Sequence, residues 1–178
     1  MTTPPDFTSG QILTAAQMNA VGLWLVKTDT ITSAASKTVT DAFSTDYDAY
    51  KVVLSVVTVG AAGLRLTMGA TTSNTSGWYG AAPYWGKTAT DGVLRANNDA
   101  SVEIGLTANI QQFVTFDIYG PYLAANTHVT GSFSARQTFS GTFGYSLNNS
   151  TSYTSFTLAC SSGSNLTSGD IYVYGYNK

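Results

Sequence analysis

Along most of this chain hydrophobic residues recur at every second position, the period of a strand with one buried face. The pattern predicts a first strand over Trp24–Ile31, a second over Lys37–Thr40, and a connection through Ala42–Asp48, where aspartates favour turns. Tyr50–Val59 is almost continuously apolar, which suits a central strand buried on both faces. Gly60 and Gly63 bracket a turn before Leu64–Met68, so the two runs are expected to form a hairpin. Val102–Leu106 alternates, and Phe113–Tyr119 places Val114, Phe116 and Ile118 on one face with Thr115 and Asp117 on the other. Val129–Phe139, Thr142–Leu147, Tyr153–Cys160 and Asp170–Tyr176 complete about ten strands. Ser73–Gly77, Asp91–Asp99 and Ser161–Ser168 carry turn residues and read as loops.

The first two dozen residues follow a different period. Thr14 and Gln17 have the spacing of a capping box, and Leu13 with Met18 can staple the same helix start. Gly22 is placed to end the helix. Met18, Val21 and Trp24 then form an apolar stripe on a helix too short to be stable alone, which needs a partner surface.

Composition sharpens the fold class. Charged residues make up 10% of the chain against about a quarter in ordinary soluble proteins, and Glu103 is the only glutamate. The strong solvent-facing helix formers are nearly absent, whereas Thr, Ser and Tyr tile exposed strand faces well. With 43% hydrophobic residues the chain is not expected to be disordered. The expected fold is all-β: an antiparallel, jelly-roll-like β-sandwich over residues 27–178, preceded by an arm over residues 1–26 with one short helix. Val52, Leu54, Val56, Phe116, Ile118, Phe156, Leu158, Ile171 and Val173 are its expected core.

The segment Asp6–Asn19, with Phe7, Ser9-Gly10-Gln11, Leu13-Thr14-Ala15 and Met18-Asn19, resembles the opening of many tailed-phage virion proteins. The closing Gly169–Tyr176 is similar to the last strand of many phage fibre and decoration domains. The resemblance implies a non-enzymatic structural component of the particle: a tail or head fibre, a capsid decoration protein or a host-adhesion subunit. It implies a homotrimer, docked by its arm on a capsid, portal-adaptor or tail protein, resident in the virion after assembly in the host cytoplasm. The expected docking residues are Phe7, Ile12, Leu13, Met18, Val21 and Trp24. Contact with a host-surface glycan is compatible with the same role.

Motifs for catalysis are sparse. His128 is the only histidine, so a histidine-pair metal site cannot be built within one chain, and a Ser-His-Asp triad would have to use it. Glu103 with Asp99 or Asp117 could form a glycosidase pair, although the lone glutamate fits a solvent face better. Asp46-Tyr47-Asp48 reads as a turn before it reads as a cation site. No phosphate loop, dinucleotide fingerprint or calcium loop occurs, so no cofactor or metal is expected. Eight Lys and Arg scattered singly, in a chain of net charge −2, disfavour nucleic acid. No apolar run suggests membrane insertion or a secretion signal, and the lone Cys160 reads as a core residue.

Trp78–Trp85 gathers Trp78, Tyr79, Tyr84 and Trp85 around Gly and Pro, and the final strand aligns Tyr172, Tyr174 and Tyr176. Both are candidate oligomer or ligand surfaces, because such rings bury large areas at low entropic cost. Aromatic loops also stack on sugars, so the alternative function is a lectin-like, carbohydrate-binding β-sandwich module.

Overall fold

The computed structural model describes residues 22–59, 61–87, 91–108, 111–136, 139–161 and 163–176. The expected short helix and the arm residues Phe7, Ile12, Leu13, Met18 and Val21 lie outside them. Among the described residues there are twelve strands: β1 (Leu23–Ala34), β2 (Ser36–Val39), β3 (Ala49–Thr58), β4 (Ala61–Met68), β5 (Trp78–Gly86), β6 (Gly92–Asp99), β7 (Val102–Ala108), β8 (Gln111–Tyr119), β9 (Thr127–Ala135), β10 (Phe139–Leu147), β11 (Phe156–Cys160) and β12 (Leu166–Tyr176).

The strands form two antiparallel sheets. The larger has the order β1-β12-β3-β8-β9-β10-β5-β6 and the smaller β2-β11-β4-β7. They share one core. Phe116 of β8 lies edge-on to Phe156 of β11 with centroids 6.4 Å apart, and Tyr145 of β10 donates its hydroxyl to the Glu103 carbonyl of β7 at 2.9 Å. The alternating burial along β3, β8, β9 and β10 follows from covering only one face of the large sheet. All nine residues expected in the core are buried, as is Cys160.

Several elements depart from the sequence pattern. The run Tyr50–Val59 is buried on one face only: Tyr50, Val52, Leu54 and Val56 point inward, while Val53 is exposed. β3 and β4 do not form a hairpin. β3 pairs with β12 and β8 in the large sheet, and β4 pairs with β11 and β7 in the small one. Crossing between sheets lets two successive apolar strands bury their faces against each other, which a flat hairpin cannot do.

Asp91–Asp99, expected as a loop, contains strand β6, and Trp78–Trp85, for which no strand was expected, lies in β5; the pair extends the large sheet. Pairing with β10 overrides the weak strand preference of Gly and Ala in β5, and pairing with β5 that of Asn in β6. The β5–β10 register runs from Phe139–Gly86 to Gly141–Tyr84 and resumes at Gly144–Ala81, skipping Pro83, which has no N–H to donate. At the other edge, β1 takes in Leu23 to Val26, the last residues of the expected arm, with Trp24 half-buried opposite Gly175.

Candidate functional site

The outward face of the large sheet is where the chain concentrates exposed rings and aliphatic side chains. Antiparallel register aligns side chains in rows across neighbouring strands. One row runs Leu25, Tyr174, Lys51, Asp117 and Thr130; the next runs Thr28, Tyr172, Val53, Thr115 and Ser132. A third joins Asp170, Ser55, Phe113, Ser134, Ser140 and Trp85. A fourth aligns Tyr119, His128, Ser146, Tyr79 and Asn97.

Leu23, Leu25, Val53, Tyr79, Trp85, Val93, Phe113, Tyr119 and Tyr172 are exposed, Phe113 at 56% and Trp85 at 53%. Between them lie mostly Ser and Thr. One charged group organises the middle of this face. Asp117 accepts from the Tyr176 hydroxyl at 2.6 Å and from the Lys51 ammonium at 3.1 Å. Burial pulls Lys51 down, but the hydrogen bond and charge of Asp117 outweigh it and hold the ammonium above its ordinary 10.5. Burial, and then Asp117, pushes the Tyr176 hydroxyl above 10.0.

The seven aromatic residues proposed as surface residues divide. Trp78 is fully buried, its indole N–H donating to Asn74 Oδ1 at 3.0 Å, so it belongs to the core and offers no surface. Asn74 is itself held by the Met68 backbone, accepting from its N–H at 3.1 Å and donating to its carbonyl at 2.8 Å. Tyr84 turns inward and packs edge-on against Phe139 at 5.7 Å. Tyr79, Trp85 and Tyr172 are exposed, while Tyr174 and Tyr176 are half-buried.

The two tyrosine-bearing segments share the outward face without meeting. Five strand-to-strand steps separate β12 from β5, about 24 Å at ~4.8 Å per step. Phe113 and Tyr119 of β8 stand between them, and the sequence reading did not single them out. The signal was present, because both alternate in phase with Thr115 and Asp117.

Other candidates resolve locally. Ser44 and Asp46 bond each other within a turn, Ser44 Oγ donating to Asp46 Oδ2 at 3.0 Å and accepting from its N–H at 3.2 Å. His128 is exposed opposite Tyr119 and Ser146. Glu103 and Asp117 do not share a site, whereas Glu103 and Asp99 line one polar cleft. Among the described residues no three His, Cys, Asp or Glu side chains cluster to hold a metal. No protein-family model and no curated protein matches the chain.

Proposed function

We propose that this chain is a structural subunit of a tailed-phage particle, a fibre or decoration protein that docks through its N-terminal segment and associates with two further copies of itself. The observation that carries the reading is the outward face of the large sheet. It combines nine exposed large hydrophobic residues with Ser and Thr, one Lys–Asp pair and the further charges of Arg95 and Asp170. Exposed apolar groups spread over one continuous face suit an interface that buries rings and aliphatic side chains, not one held by ion pairs. Exposed ion pairs contribute only about 0–1 kcal/mol each. The sheet orders β1-β12-β3-β8 and β2-β11-β4-β7, with the chain alternating between them, support reading the body as a jelly roll with β5–β6 and β9–β10 added. The N-terminal Asp6–Asn19 segment supports the particle role through its resemblance to virion proteins.

Sedimentation of the full chain at low and high salt tests the association. A trimer that persists in high salt is expected, since screening weakens charge-driven contacts and leaves apolar ones. Phe113→Ser with Tyr172→Ser is expected to dissociate it without unfolding. A chain lacking residues 1–21 should stay folded and fail to co-sediment with particles. A monomer at micromolar concentration would remove the oligomer, and unfolding on truncation would remove the docking arm.

A further inference from the structure

A second, polar feature lies at the rim of the outward face, where edge strand β6 of the large sheet runs beside edge strand β7 of the small one; Arg95, opposite Ala81, brings the row of Lys51, Asp117 and Thr130 to this rim. A cavity of about 240 Å³ opens there, lined by Arg65, Arg95, Asp99, Ser101, Glu103 and Tyr145 among others. In so charge-poor a chain, two of the eight basic and two of the ten acidic residues converge on this cleft. Leu94, Ala96 and Val102 complete its lining, so the hydrogen-bonding groups sit on an apolar floor of three side chains.

Three observations describe how the cleft is built. Glu103 lies over Gly63, where an added Cβ would stand 2.6 Å from its carboxyl carbon, so a larger residue there would push the carboxylate aside. Tyr145 donates to the Glu103 carbonyl at 2.9 Å, which ties β10 to β7 beneath the cleft. Arg65 Nε is 3.8 Å from Glu103 Oε1, a loose pairing that leaves guanidinium N–H groups free to turn to a ligand. Among the described residues Arg95 forms no ion pair.

We propose that the cleft between β6 and β7 binds one residue of a neutral saccharide, with Arg65 and Arg95 donating to its hydroxyl oxygens and Asp99 and Glu103 accepting from its hydroxyl protons. A sugar hydroxyl both donates and accepts, so adjacent hydroxyls match a wall that alternates guanidinium and carboxylate. The balanced charge favours an uncharged ligand over a phosphate or a carboxylated sugar. The negative side of that balance is felt within the cleft: after burial, the charges of Glu103 and Asp99 are what push the Tyr145 hydroxyl up. The volume lies below the roughly 300–1,000 Å³ of pockets that engulf drug-sized molecules, so it suits a single sugar ring. The site does not rest on the assembly role, although Arg95 lies at the rim of the face proposed to associate.

Saturation-transfer NMR of the full chain with glucose, galactose, mannose and N-acetylglucosamine at millimolar concentration is the test, with glucuronate and inorganic phosphate as charged probes. Transfer to at least one neutral sugar is expected, weakened about tenfold or more by Arg95→Ala and by Asp99→Asn. Both positions are exposed, so the melting temperature should not move. No transfer from any neutral sugar, stronger binding of glucuronate or phosphate, or binding unaffected by both substitutions would overturn the site. Sugar binding by a monomer that joins no particle would leave the site standing and remove only the virion reading.

Discussion

At the scale of single residues, the core is decided by which rings cross between the sheets. Phe116 sits 6.1 Å from Phe143 within its own sheet and 6.4 Å from Phe156 across the core. Phe156 also stacks on Phe43 at 5.8 Å, and Phe43 lies edge-on to Tyr50 at 4.9 Å. Phe116→Ala would leave a cavity that neighbours on two sheets cannot fill together. A loss of about 3–5 kcal/mol in urea unfolding is expected. A loss under about 1 kcal/mol would mean the ring is not a central contact. That Phe116 faces inward was legible from its alternation with Val114 and Ile118. That Trp78 does so was not, because its burial depends on Asn74, four residues earlier, bonding both the indole and the Met68 backbone.

At the scale of elements, protection from exchange should follow position in the sheet. β3 is paired on both sides, with β12 and β8, and its inward residues are fully buried. β6 is an edge strand, paired only with β5 and buried inward chiefly at Ala96. Amide hydrogen exchange is therefore expected to be slowest for the paired amides of β3 and markedly faster along β6. Equal protection in the two strands would show that β6 is covered, as it would be inside an assembly. Its apolar run revealed β3 as a strand, but not that only one of its faces is buried. Periodicity missed β5 and β6 because Gly80, Ala81, Ala82, Pro83, Asn97 and Asn98 are weak strand formers, which pairing of β5 with β10 and of β6 with β5 overrides.

At the scale of the whole molecule, the hydroxyl groups make stability fall on the alkaline side. Tyr50, fully buried, is raised above 10.0 chiefly by burial, against the lowering effect of its bonds to Ser44. Tyr145 and Tyr176 are raised above 10.0 as well, and Lys51 above 10.5. A raised value means the folded state keeps its proton after the unfolded chain has lost it. The stabilisation is complete below pH 10 and disappears as pH rises through the folded values, at about 1.4 kcal/mol per pH unit for each proton involved. Urea unfolding between pH 8 and 11 should show this decline, and Tyr145→Phe should make it shallower. Constant stability over that range would contradict the buried placement of these hydroxyls.

Sequence alone determined the all-β class, the inward faces of β8, β11 and β12, and the scarcity of histidine and glutamate. Each follows from local alternation and composition, which need no knowledge of partners. Tertiary structure decided that β3 and β4 lie in different sheets, that β5 and β6 are strands, and that Arg65, Arg95, Asp99 and Glu103 share one cleft. These depend on which distant strands pair and where two sheet edges meet. A period of two specifies the face a side chain occupies, but not the strand beside it.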